Sequence, residues 1–189
     1  MAKPAGSACN LDCAYCFYLS KRVLPGGPGS GHMPDEVLER FVKDYIDSVT
    51  SDEVVFSWQG GEPTLLGLEF FEKVVTLQAK HAKPGQRIEN DLQTNGTLLD
   101  DDWARFLKQH RFLVGLSIDG PREIHDHCRI TKHAEPTFDQ VIAAAKMLQK
   151  HGVRFNTLTC VHRYNASRPL DVYRFLRREI GSTYIQFIP

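Results

Sequence analysis

No apolar run in this 189-residue sequence approaches the roughly 20 residues a membrane-crossing helix needs. The start, Met1-Ala2-Lys3-Pro4, carries no apolar signal-peptide core. Charge of one sign is also lacking. Lys and Arg number 23, Asp and Glu number 23, and the formal net charge is zero. With no bulk field to attract them, neither nucleic acid nor an anionic membrane is an expected partner. Internal repeats and low-complexity tracts are absent. A composition of 42% hydrophobic and 24% charged residues is that of a globular domain with a core and argues against disorder. Cysteine is scarce outside one place. Of five, three fall between Cys9 and Cys16, while Cys128 and Cys160 stand alone. An odd count, no secretion signal and a tight triplet together favour metal binding over a disulfide framework. A cytoplasmic location, where thiols stay reduced, is expected.

What is present alternates between two periods. Residues 53–58, 88–94, 112–118, 154–161 and 184–188 are rich in β-branched and aromatic side chains and are expected as strands. A short strand before Cys9 would begin the series. Between them, residues 34–49, 68–80, 101–109, 137–151 and 169–180 show helical periods. The first opens on Pro34, Asp35 and Glu36 and sets Val37, Phe41 and Tyr45 on one face. The fourth places Thr137 and Gln140 at capping-box spacing and closes at Gly152. Residues 23–33 are rich in Gly and Pro and are expected as a surface loop within a single domain spanning 1–189. Strand and helix in alternation predict an α/β fold with a parallel sheet. Periodicity leaves open whether it is an open, partial (β/α)6 barrel or a doubly wound sheet. In both, site residues gather at the C-terminal ends of strands.

Cys9-Asn-Leu-Asp-Cys13-Ala-Tyr-Cys16 has the spacing C-x3-C-x2-C. Thiolates are soft ligands that suit zinc or iron–sulfur clusters. A closed structural zinc site wants a fourth ligand, and the nearest histidine is His32, beyond the Gly/Pro loop. Three thiolates on a compact loop can instead hold three irons of a cubane and leave the fourth open for chemistry. Both readings stand on spacing alone, with the cubane favoured. The residues after the strands form a series: Trp58-Gln59-Gly60-Gly61-Glu62-Pro63-Thr64, Leu92-Gln93-Thr94-Asn95-Gly96-Thr97, Ser117-Ile118-Asp119-Gly120-Pro121 and Gln186-Phe187-Ile188-Pro189. Each alone reads as a turn.

Together with the cysteine triplet and Cys16-Phe17-Tyr18, this ordered series resembles the radical S-adenosylmethionine (SAM) superfamily, and within it the anaerobic sulfatase-maturating enzymes, over essentially the whole chain. The resemblance implies a partial (β/α)6 barrel of the radical SAM type. It also implies an oxygen-sensitive [4Fe–4S] cluster on Cys9, Cys13 and Cys16, with SAM chelating the open iron. Reductive cleavage of SAM then gives a 5′-deoxyadenosyl radical. Gly60 and Gly61 would let backbone approach the ligand, and Glu62 would accept from the SAM ammonium. Asn95, Ser117 and Asp119 suit ribose hydroxyls or the amino-acid moiety, and Arg129 suits the carboxylate. Tyr15 would lie against the adenine. Tyr18 and Gln59 match positions on the substrate side and are the candidate catalytic residues.

Phe17 and Trp58 are expected in the core, Cys128 and Cys160 as idle thiols, and His125, His127 and His133 as solvated side chains in a polar loop after Pro121. The activity implied is an oxidoreductase that converts Cys or Ser of a client sulfatase to Cα-formylglycine, with electrons from a donor such as flavodoxin or ferredoxin. The alternatives are another radical SAM peptide or small-molecule maturase, or a non-catalytic Fe–S/SAM-binding fragment. The family also implies a Cys-rich C-terminal region with two auxiliary clusters and a carboxylate base, to which no residue of this sequence corresponds. The 189 residues are therefore expected to cleave SAM without maturing a peptide.

Overall fold

The computed structural model describes residues 1–19 and 32–189. The loop expected over residues 23–33 lies, as far as residue 31, outside the described residues. Helix α1 (Asp35–Ser48) leads into strand β1 (Glu53–Trp58), and the order continues α2 (Leu68–His81), β2 (Arg87–Thr94), α3 (Asp101–Gln109), β3 (Leu113–Ser117). Then follow α4 (Arg122–Cys128), α5 (Phe138–Lys150), β4 (Arg154–Cys160), α6 (Arg163–Ala166), α7 (Pro169–Arg174) and β5 (Ile185–Ile188). The strands lie in the order β1-β2-β3-β4-β5 and every neighbouring pair is parallel. A doubly wound sheet reverses its strand order at a switch point. This sheet does not, so the ambiguity left by periodicity resolves to a partial barrel. The strand expected before Cys9 is reduced to one parallel bridge between Ala2 and Trp58 on the free edge of β1.

Burial in β1 alternates, with Val54, Phe56 and Trp58 inside, as a period of two requires. These side chains meet Leu38, Val42 and Ile46 of α1 and Phe71 and Val74 of α2 in one core. Trp58, Phe56 and Phe71 are at most 1% exposed, and full burial of a large apolar side chain stabilises by about 1.5–3 kcal/mol. The buried stripe of α1 is thus Leu38-Val42-Ile46. The expected stripe is displaced by one residue: Phe41 and Tyr45 pack at the core's margin, while Val37 is half exposed. Trp58 also donates its indole N–H to Asn90 Oδ1 at 2.8 Å, and Asn90 pairs with Gln78, so this polar group is satisfied inside the core.

Two local expectations fail for stated reasons. Residues after Pro121 form helix α4 rather than a loop, burying Ile124, His125 and Cys128. His125 is fully buried, whereas His127 and His133 are exposed as expected. The capping box of Thr137 does not form. The Thr137 hydroxyl turns inward, donating to the Arg129 carbonyl at 2.8 Å and meeting His125 Nε2 at 3.1 Å. Asp126 Oδ1 accepts from the amides of Thr137 and Phe138 instead.

Candidate functional site

The cysteine loop is fastened to the sheet at its front. The Gly61 amide donates to the Gly6 carbonyl at 2.9 Å and the Glu62 amide to the Ala8 carbonyl at 2.8 Å. This docking explains both glycines. A Cβ on Gly61 would lie 2.0 Å from the Ala8 carbonyl oxygen, and one on Gly60 would lie 2.8 Å from the Gly6 carbonyl oxygen. On the side where a Cβ would point, the close neighbour is the chain's own backbone, the segment leading into Cys9, and both glycines also line the cavity described below. Further along, Asp12 and Ala14 donate to the carbonyls of Ile130 and Cys128, each at 2.9 Å. Leu11 is bridged antiparallel to Thr131.

Glu62 is the hub behind this docking. Only 1% exposed, it accepts from Thr64 N (3.0 Å), Thr64 Oγ1 (2.7 Å), Thr94 Oγ1 (2.8 Å) and Asn95 N (2.7 Å). Burial raises its pKa, against the lowering effect of these hydrogen bonds. Asn95 in turn donates through Nδ2 to Asn10 Oδ1 at 2.9 Å and to Cys9 Sγ at 3.8 Å. Its Oδ1 accepts from Thr97. The Leu11 amide also points at Cys9 Sγ, at 3.4 Å. Cys13 is buried, and burial pushes its thiol up to about 12, opposed by the Arg129 charge. A group so desolvated becomes a thiolate only with strong positive charge beside it, as a metal provides.

At the opposite side of the loop stands a buried ion pair. Asp119, with no exposed side-chain surface, faces Arg129 through Oδ2···Nε at 2.9 Å and Oδ1···Nη2 at 3.2 Å. The Tyr15 hydroxyl donates to Asp119 Oδ2 at 2.5 Å and the Cys160 amide to Oδ1 at 3.1 Å. Burial alone would raise the pKa of Asp119. The Arg129 charge and hydrogen bonds outweigh it and hold Asp119 below the usual carboxylate range. The Tyr15 ring stacks on His162 with centroids 5.4 Å apart, and the Arg129 guanidinium lies 5.6 Å from its centroid. Behind them, the Asp119 amide donates to His125 Nδ1 at 3.4 Å.

These features surround one cavity of about 470 Å³ at the C-terminal ends of the strands, within the range of small-molecule sites. It brings together Cys9, Cys13, Cys16, Tyr15, Tyr18, Gln59, Gly60, Gly61, Glu62, Asn95, Ser117 and Arg129. Of the expected residues only Asp119 is off the wall, sealed behind Arg129. His32, the fourth ligand of the zinc alternative, is exposed and does not line it. Among the described residues no three His, Cys, Asp or Glu side chains converge as ligands of a single ion. Phe17, expected in the core, is 56% exposed and lines the cavity, as does Cys160. Residues that sequence reasoning passed over include Gln93, Leu158 and Lys3, whose ammonium lies 5.4 Å from the Tyr18 ring centroid and 6.0 Å from that of Phe17. His162 was legible by position, since it follows the end of β4. Lys3 gave no signal, because only the fold brings it to Tyr18.

The sequence family described as the radical SAM superfamily matches residues 4–176. The chain belongs to the radical SAM superfamily. This radical SAM chain is similar to the serine-type anaerobic sulfatase-maturating enzyme of Bacteroides thetaiotaomicron, with 46% identity over 189 residues, 100% of this chain and 45% of that protein. It is equally similar to the cysteine-type enzyme of Clostridium perfringens, with 47% identity over 189 residues, 100% of this chain and 50% of that protein. The chain therefore spans about half the length of the curated relatives it matches. Among solved structures, native anSMEcpe with bound AdoMet superposes with a TM-score of 0.91 at 46% identity, covering 98% of this chain and 50% of that one. SuiB of Streptococcus suis bound to S-adenosylmethionine shares the fold alone, at 16% identity and a TM-score of 0.71, over 98% of this chain and 39% of that one. Among the described residues no helix is long and apolar enough to cross a membrane.

Proposed function

We propose that this chain is the cluster- and SAM-binding core of an anaerobic sulfatase-maturating enzyme. One observation carries the reading: the three thiols of the loop, the Gly60–Glu62 turn, Asn95, Ser117 and Arg129 meet on a single cavity, although they lie on five separate segments of the sequence. The donor set fits a [4Fe–4S] cluster. Three soft thiols share one wall without converging on one point, which suits ligands that each hold a different iron. When bound, cluster and SAM supply one-electron reductive cleavage of SAM.

The chain's residues do the rest. The N–H groups of Leu11 and Asn95 point at Cys9 Sγ and hold it in place. Glu62 fixes the Asn95 amide and the turn before Thr64, so the wall under the ligand is rigid before binding. Arg129 offers a buried cation to the SAM carboxylate, and Ser117 a hydroxyl to its ribose. Tyr18 and Gln59 occupy the side on which a client peptide enters. The client is a sulfatase segment with a Cys or Ser to be oxidised to formylglycine. Both client types are represented among relatives of nearly equal identity, so identity does not choose between them. Electrons come from a flavodoxin- or ferredoxin-type donor, in the cytoplasm.

The test is anaerobic reconstitution with iron and sulfide, followed by incubation with SAM and dithionite. Release of 5′-deoxyadenosine is expected. No release from a chain shown to hold four irons would overturn the proposal.

A further inference from the structure

We infer that Asp119 is a positioning residue, whose sealed carboxylate ties Tyr15 of the cysteine loop to Arg129 and to the end of β4 and so fixes how Cys13 and Cys16 are presented. This rests on the cluster reading above.

A carboxylate offers about four acceptor positions, and all four are filled here. Tyr15 OH and Arg129 Nε share Oδ2, at 2.5 and 2.9 Å, while Arg129 Nη2 and the Cys160 amide share Oδ1, at 3.2 and 3.1 Å. With 0% of its side chain exposed, Asp119 has neither surface nor lone pair left for a ribose hydroxyl or an ammonium. Its partners come from three separate elements: the cysteine loop, the residue capping α4 and the last residue of β4.

Among the described residues, the backbone tethers of the loop to the 128–131 segment fall before the third cysteine. The backbone bonds to residues 128 and 130 are made by Asp12 and Ala14. Between Ala14 and Cys16 the Tyr15 hydroxyl ties the loop to the barrel, and the Cys16 amide bonds back to the Cys13 carbonyl at 2.8 Å. The ring of Tyr15 packs on His162, with centroids 5.4 Å apart, and the Arg129 guanidinium lies 5.6 Å from its centroid. A ring held in this way carries the position of Asp119 to the backbone between Cys13 and Cys16. Loosening the anchor frees Cys16 before Cys9, which the Glu62–Asn95 hub holds independently.

The experiment compares Tyr15→Phe, Asp119→Asn and the double variant with the wild-type chain after anaerobic reconstitution. Iron release to a chelator, SAM affinity by calorimetry and thermal unfolding of the apo chain are measured for each. Tyr15→Phe removes one hydroxyl and leaves the Asp119–Arg129 pair intact, so it stands even where Asp119→Asn fails to fold. We expect iron release about tenfold faster in Tyr15→Phe, the equivalent of about 1.4 kcal/mol, with apo unfolding lowered less than in Asp119→Asn. The double variant should release iron no faster than Asp119→Asn. Wild-type release from Tyr15→Phe would overturn the inference. So would additive effects in the double variant, or a loss of SAM affinity in Asp119→Asn with iron retention intact, which would make Asp119 a ligand of SAM. A wild-type chain that takes up no cluster would remove the underlying reading instead, and is seen before any variant is made.

Discussion

Gly61→Ala tests how the cysteine loop is held. The Gly61 backbone is not in the left-handed region, so alanine is conformationally permitted there, and the effect is purely steric. The new Cβ would sit 2.0 Å from the Ala8 carbonyl oxygen, 2.6 Å from the Ala8 carbonyl carbon and 2.8 Å from the Ser7 carbonyl carbon. These are backbone atoms, and no rotamer change relieves the overlap. The chain must either bear an overpacking strain of about 1–3 kcal/mol or open the docking. Opening loses the Gly61–Gly6 and Glu62–Ala8 hydrogen bonds, at about 0.5–1.5 kcal/mol each. Both routes cost about the same, and both displace the residue next to Cys9. Gly67→Ala is the matched control. Gly67 has φ 79° and ψ 165°, a region essentially reserved for glycine, where another residue costs about 1–3 kcal/mol. Nothing lies within 4 Å of its added Cβ, and it lies outside the loop docking. Both variants should lower the urea midpoint similarly, while only Gly61→Ala should reduce iron content after reconstitution to well under half of wild type. Equal iron loading in the two variants would refute the docking argument.

Single Cys9→Ala, Cys13→Ala and Cys16→Ala should each abolish the iron–sulfur absorbance, whereas Cys128→Ala and Cys160→Ala should retain it. Glu62→Ala leaves the amides of Thr64 and Asn95 without their acceptor and should lower unfolding free energy by roughly 1.5–3 kcal/mol in urea titrations, the range for hydrogen bonds to charged groups. It should weaken SAM binding as well. Burial, with the Arg129 charge, pushes the His125 pKa from 6.5 down to about 3. The unfolded chain therefore takes up a proton that the folded chain refuses. Stability from this group is full above pH 6.5 and falls as the pH drops toward 3, by at most about 1.4 kcal/mol per pH unit. The slope of urea midpoint against pH in that window should be shallower in His125→Gln, and an unchanged slope would contradict the assignment.

The elements legible in the sequence were those with a long, unbroken period. All five strands fall within two residues of where their β-branched and aromatic runs place them, because those residue types favour the pleated, half-buried surface of a sheet. Helix α4 was not legible. It has seven residues, too few for a period to show, and its buried members include His125 and Cys128, which read as polar. The capping box failed because a tertiary partner took the Thr137 hydroxyl. At the site, the triplet and the strand-end motifs were readable as a set, since spacing and order along the chain carry them. Individual roles were not. Glu62, Asn95, Gly60 and Gly61 look from sequence like ligand contacts, yet much of their hydrogen bonding and close packing is internal. Asp119 and Arg129 are ten residues apart, and nothing local tells that they neutralise each other in the interior. The contact of Lys3 with Tyr18 depends on the Ala2–Trp58 bridge, which only the fold creates.

The most direct test of the account is the electron paramagnetic resonance spectrum of the dithionite-reduced, reconstituted chain, recorded with and without SAM. The account predicts the signal of one reduced [4Fe–4S] cluster whose line shape changes when SAM is added, since the fourth iron is open to it. A chain that instead binds one zinc tightly and shows no iron–sulfur signal would contradict it, and so would a cluster signal that SAM leaves unaltered.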